Sequence, residues 1–117
     1  LEQIFNKKEL IVKGSLERFR DFIFIDDVID SFTKTLNNQI DQFKIYNICN
    51  SNKTTVNQLI DVIQKNLSFD FNIKIQSSTP GDQFGIYGCN KLINNELKWS
   101  PKFDLNSGIK LFIKWMK

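Results

Sequence analysis

Hydrophobic and polar positions change period several times along this chain, and each change predicts an element. The densest apolar run is Phe22-Ile23-Phe24-Ile25, set between Arg20-Asp21 and Asp26-Asp27. Phe22 and Phe24 would face one way and Ile23 and Ile25 the other, which predicts a short strand buried on both faces. Asp26 follows as a helix N-cap, with Asp27 and Asp30 where a helix N-terminus favours negative charge. Val28, Ile29, Phe32 and Leu36 then recur at helical spacing, predicting a helix from about Asp27 to Asn38.

The flanking segments follow the same logic. Leu10, Ile11 and Val12 predict a short strand, and Gly14-Ser15 a turn leading back through Arg18 and Phe19. Lys44 to Cys49 reads as a second buried strand, ended by the polar loop Asn50-Ser51-Asn52-Lys53. Thr55 and Gln58 have capping-box spacing, and Val56, Leu59, Ile60, Ile63 and Leu67 line one face of the helix behind them. Phe69, Phe71, Ile73 and Ile75 alternate with polar residues, predicting a strand with one buried and one wet face. Ser77 to Asp82 is a Pro-Gly loop. Leu92, Ile93 and Leu97 predict a short helix that stops near Trp99-Ser100-Pro101. A final helix, capped by Asp104, would bury Leu105, Ile109, Phe112, Ile113 and Met116. The order indicates an α/β or mixed α+β fold in which at least one strand completes a sheet elsewhere.

Composition narrows the classes. The 117 residues suit a single domain, residues 1–117, with 41% hydrophobic and 25% charged residues, an ordinary globular balance. A net charge of +3 suits an anionic ligand, but the bases are scattered, so nucleic acid is not expected as a partner. Cys49 and Cys89 are the two cysteines and there is no histidine, so a Cys/His metal site, which needs about three or four ligands, is excluded. The cysteines read as reduced thiols of a cytoplasmic protein. No run approaches a membrane span and no basic-then-apolar leader opens the chain, so no membrane partner is expected. Leu1 to Phe5 reads as the tail of something begun upstream, although a processed chain would look the same.

Few constellations carry chemistry. Asp26 and Asp27 are adjacent at a helix start, where capping is the expected role rather than a carboxylate dyad. The absence of histidine rules out Ser/His and Cys/His arrangements, and the five glycines stand singly, with no phosphate-cradling loop. Arg20 is a planar, permanently charged fork suited to a phosphate or carboxylate, or else an ordinary surface residue. Asp82, on its Pro-Gly loop, is an acceptor suited to sugar hydroxyls. Tyr46 and Trp99 read as core residues rather than stacking platforms.

Four segments together resemble the NAD-dependent nucleotide-sugar epimerases and dehydratases, the extended short-chain dehydrogenase/reductase family typified by UDP-sugar 4-epimerases. They are Arg20-Asp21-Phe22-Ile23-Phe24-Ile25-Asp26-Asp27, then Tyr46-Asn47-Ile48 followed by Thr54-Thr55-Val56, then Pro80-Gly81-Asp82, and last Leu97-Lys98-Trp99-Ser100-Pro101. Their order and spacing cover nearly the whole chain. The resemblance implies the C-terminal, substrate-binding portion of a Rossmann-type protein, without its N-terminal dinucleotide-binding region. It implies a nucleoside-diphosphate sugar as ligand and NAD as cofactor of the full-length enzyme, with none bound by this segment alone. Arg20 would contact the diphosphate, Phe22 would lie close to the nucleotide, and Asp82 would accept from the ribose.

Departures from the family pattern are specific. Many relatives carry Arg just before Pro-Gly-Asp as a second phosphate ligand, where this chain has Thr79. Cys49 and Ser51 replace glycines of the second segment, and Lys98 that of the last. Tyr87-Gly88-Cys89-Asn90-Lys91 matches the family's catalytic Tyr-x-x-x-Lys, but Gly88, with Pro80 and Gly81 upstream, argues against the long helix that pair needs. The glycine-rich NAD turn and the true Tyr/Lys pair would lie before Leu1, so this segment is expected to hold substrate against the nicotinamide without being catalytic alone. A non-catalytic ligand-binding module derived from the family is the alternative. The sugar, the base, the reaction outcome and a homodimer are left open.

Overall fold

The structure, a computed structural model, describes residues 1–38, 43–78 and 80–116. Its firmest local element is the one with the strongest local signal. Thr55 accepts the Gln58 amide while the Gln58 side chain accepts the Thr55 amide, completing the capping box, and helix α3 runs over Val56–Asn66. Ile60 and Ile63 are buried on its inner face.

Ahead of it, α1 (Glu2–Lys7) ends where Lys8 turns left-handed, and β1 (Glu9–Lys13) follows. Gly14, at φ 86°, makes the turn that strand β1 needs, and its amide reaches Gln76 O at 2.9 Å. β1 pairs in parallel with β4 (Asn72–Gln76), with Leu10 opposite Ile73 and Val12 opposite Ile75. Helix α3 lies between these strands in sequence, as a parallel pair requires. Ile4, Val12, Ile60, Ile63 and Phe71 form the core beneath this unit. Helix α5 (Leu105–Met116) packs on α3 and brings Ile109 to the same core. Asp104 caps α5 as the sequence predicts, accepting the Ser107 amide at 2.7 Å, and its carboxyl is lowered by the Ser107 hydroxyl and amide.

A second, smaller core holds Ile93, Leu97 and Trp99, with Ile23, Tyr46 and Ile48 against it. Helix α4 (Lys91–Leu97) supplies the first two. Trp99 is wholly buried, as a core residue should be. Lys98, at φ 50°, turns the chain at the end of α4.

Several expectations fail, and each failure has a cause. The strand β2 is Phe19–Arg20, paired antiparallel with β3 (Thr54–Thr55), and not Phe22–Ile25. Beyond β2, the Asp21 carboxylate accepts the amides of Asn50 and Ser51, so a side chain replaces the ladder that a longer strand would need. Ile25 instead opens helix α2 (Ile25–Asn37) and is exposed. The N-cap position is Phe24 and makes no side-chain cap bond, so Asp26 does not cap. Asp27 is buried, and accepts the amides of Lys102 and Phe103 at 2.9 and 3.1 Å.

Lys44–Cys49 forms no strand ladder among the described residues, and Ile45 is exposed. Side chains hold this segment. Glu96 Oε2 accepts from Lys44 Nζ at 2.8 Å and Tyr46 Oη at 2.6 Å, and Asn90 Nδ2 donates to Cys49 O at 3.0 Å. Those bonds lower the Glu96 carboxyl and raise both Lys44 and Tyr46. The predicted strand at Phe69 begins only at Asn72. Phe71 is buried, but Ile73 and Ile75 are exposed because no layer of the described residues covers them. Phe112 is also exposed, stacked on Trp115 with centroids 5.9 Å apart. Among the described residues, no helix is long and apolar enough to cross a membrane and no group of three or more side chains could hold a metal ion.

Candidate functional site

Arg18, just ahead of β2, and Arg20, within it, reach the same carboxylate, whereas Phe19 between them packs against the rings of Phe84 and Tyr87. The segment after Pro80-Gly81-Asp82 is pinned alongside. Phe19 N donates to Phe84 O at 3.2 Å and Ile86 N to Phe19 O at 3.4 Å, with Gly85 opposite Phe19 in a parallel bridge. This strap sets Asp82 beside the two guanidinium groups.

Arg20 Nη1 donates to Phe19 O at 2.8 Å and Nη2 to Gln83 O at 3.1 Å, with Asp82 Oδ1 3.5 Å from Nη2. Its side chain remains 36% exposed, against 16% for Arg18. Arg18 Nη1 pairs with Asp82 Oδ2, and the rest of its fork reaches the carbonyls of Lys13 and Ser15. Two permanent cations thus face one carboxylate, leaving one net positive charge at a partly open site.

Of the residues singled out from the sequence, Arg20 and Asp82 come together. Phe22 does not join them. It is exposed, in the wall of a separate apolar cleft of about 470 Å³, with Leu59, Phe103, Ile109 and Phe112. Thr79 lies outside the described residues. Tyr87 lies outside any helix and Lys91 is the first residue of α4, so the two do not share a helix. Instead the Tyr87 ring meets Phe19 edge-on, and Lys53 Nζ lies 4.4 Å from its centroid. Among the described residues, Cys49 and Cys89 form no disulfide.

Sequence reasoning missed Arg18 as part of this site. The signal was present: Arg-x-Arg in an extended segment places both guanidinium groups on one face.

Comparisons with known proteins agree with this architecture. The model of the NAD dependent epimerase/dehydratase family matches residues 1–49. A putative UDP-glucose 4-epimerase of Methanocaldococcus jannaschii is 29% identical over 117 residues, covering all of this chain and 37% of that protein. The dTDP-4-dehydro-6-deoxyglucose reductase of Escherichia coli is 31% identical over 114 residues, covering 97% of this chain and 36% of its own length. The crystal structure of UDP-glucose 4-epimerase from Thermotoga maritima with UDP-glucose superposes with a TM-score of 0.87 at 25% identity, covering 99% of this chain and 38% of that one. The chain therefore spans little more than a third of these proteins' length. The mixed α/β fold, the family-model match and relatives aligned along the whole chain support an extended short-chain dehydrogenase/reductase family of the nucleotide-sugar epimerase type.

Proposed function

We propose that this chain is the substrate-holding part of an NAD-dependent nucleotide-sugar epimerase or dehydratase. Arg20 grips the diphosphate, Asp82 accepts from the ribose, Phe22 lies against the nucleotide, and Thr79 completes the set from its place before Pro80. The observation that carries this reading is the meeting of Arg20 and Asp82, 3.5 Å apart, with the guanidinium still partly open to solvent. A partly exposed pair of this kind is worth about 0–1 kcal/mol. A diphosphate, with bidentate charge-assisted bonds, offers Arg20 the stronger partner.

The relatives support the ligand class, since their names specify UDP- and dTDP-sugars. The residues present do not fit the dinucleotide. The five glycines stand apart along the sequence, so there is no Gly-rich strand-to-helix turn to cradle its pyrophosphate. In this reading NAD binds to other parts of a longer enzyme, and this chain binds and orients the sugar nucleotide.

The test is Arg20→Ala in the full-length protein, with UDP-glucose affinity and melting temperature both measured. Loss of the charge-assisted contact should cost about 1.5–3 kcal/mol, or about ten- to a hundred-fold in affinity, with the melting temperature little changed. Arg20→Lys should recover only part, because an ammonium lacks the fork. Unchanged affinity with a lowered melting temperature would end the phosphate-ligand assignment.

A further inference from the structure

Arg18 is engaged on three sides. Its Nε donates to Ser15 O at 3.2 Å, Nη2 to Lys13 O, and Nη1 pairs with Asp82 Oδ2. Gly14 closes the socket from beneath. A Cβ there would lie 3.1 Å from the Arg18 Cζ and 3.2 Å from the Ser78 Cβ, at a φ of 86° that disfavours a side chain. The turn after β1 is thus shaped to hold one guanidinium plane.

The two oxygens of Asp82 are left in different states. Oδ2 is taken by Arg18, whereas Oδ1 stands 3.5 Å from Arg20, beyond a full hydrogen bond. Ahead of the pinned strap the loop meets open space at Gly81, where nothing lies within 4 Å of a Cβ. A carboxylate on such a loop would sample several rotamers and, uncompensated, would draw Arg20 into a closer pair.

We propose that Arg18 is a positioning residue of the sugar-nucleotide site. By holding Asp82 through Oδ2, it presents Oδ1 to the ribose hydroxyls and keeps the carboxylate from closing onto Arg20, whose partly exposed face is left for the diphosphate. This rests on the roles assigned above to Arg20 and Asp82. Arginine suits the task because a rigid fork can bind two carbonyls and a carboxylate at once, which an ammonium cannot do in one plane.

The test compares UDP-glucose with its 2′,3′-dideoxyribose analogue on the full-length protein and its Arg18→Met, Arg18→Lys and Asp82→Asn variants. The unsubstituted protein should prefer the ribosyl ligand by about tenfold or more, the worth of hydrogen bonds to a charged acceptor. Arg18→Met should collapse that preference toward unity, as Asp82→Asn does, and Arg18→Lys should restore part of it. Adding Arg18→Met to Asp82→Asn should not move the ratio further. If Arg18→Met does not fold, Arg18→Gln keeps a donor for the Ser15 carbonyl while giving up the charge on Asp82, and the same ratio is read there. A lowered melting temperature with the ribosyl preference intact would overturn the proposal, since support of the fold alone weakens both ligands equally. Failure of the unsubstituted protein to bind UDP-glucose would instead overturn the functional reading on which it rests.

Discussion

The indole N–H of Trp99 donates to the backbone carbonyl of Asp27 at 3.2 Å, and both residues are almost wholly buried. The Asp27 carboxylate continues the contact, one oxygen on the Lys102 amide and the other on the Phe103 amide. The first turn of α2 is thereby bound to the segment that joins α4 to α5. The Leu97–Pro101 and Arg20–Asp27 motifs, far apart in sequence, are two halves of one joint.

Removing that carboxylate should be costly. Asp27→Ala leaves two amides without their acceptor and should destabilise the protein by about 3 kcal/mol, the sum of two charge-assisted bonds at the lower end of their range. Asp27→Asn keeps one acceptor oxygen and should cost less. The midpoint of urea unfolding measures both. Equal midpoints for Asp27→Ala and the unsubstituted protein would show that the joint contributes nothing.

Gly85 fixes the strap that carries Asp82. A Cβ at this position would sit 2.2 Å from two atoms of the Phe19 ring, itself held in β2. Gly85→Ala should therefore push the strap off β2 and draw Asp82 away from both arginines. Sugar-nucleotide affinity should fall about as far as in Arg20→Ala, roughly tenfold or more. Gly81→Ala makes a useful contrast, since open space surrounds it and the penalty there is its positive φ of 81° alone. If affinity survives Gly85→Ala unchanged, the strap does not position the site.

What could be read from the sequence was what local chemistry decides. The Thr55/Gln58 box, the inner face of α3, the Asp104 cap and the Gly14 turn depend on residues within a few positions of one another, and all are present. The errors cluster where a distant segment decides. Phe22–Ile25 has the composition of a central strand, yet no described strand pairs with it, and the helix starts at Ile25, ahead of the Asp27 that the acids suggest. Asp27 has capping chemistry but spends it on Lys102 and Phe103, which no local pattern could announce. Arg20 and Asp82 stood out in the sequence as motif residues and the fold brings them within 3.5 Å, whereas Arg18 was passed over because its partner Asp82 lies far away in sequence.

The same comparison predicts how the 117 residues behave when expressed alone. Ile25, Ile29, Phe32 and Leu36 recur along α2 at helical spacing, so they form one stripe, and each is more than half exposed. Ile45, Ile73 and Ile75 add exposed apolar surface on segments with at most one strand neighbour among the described residues. A contiguous apolar stripe on an uncovered helix favours association over monomeric solution. The isolated chain should therefore sediment as a concentration-dependent oligomer at micromolar concentration. Phe32→Glu combined with Leu36→Lys should shift it toward monomer, because both changes break the stripe without touching the Ile60–Ile63 core. The far-ultraviolet circular dichroism should be unchanged, which separates lost association from lost folding. A monomeric unsubstituted chain with a cooperative transition well above about 5 kcal/mol would show that these residues are self-sufficient and that the stripe needs no cover.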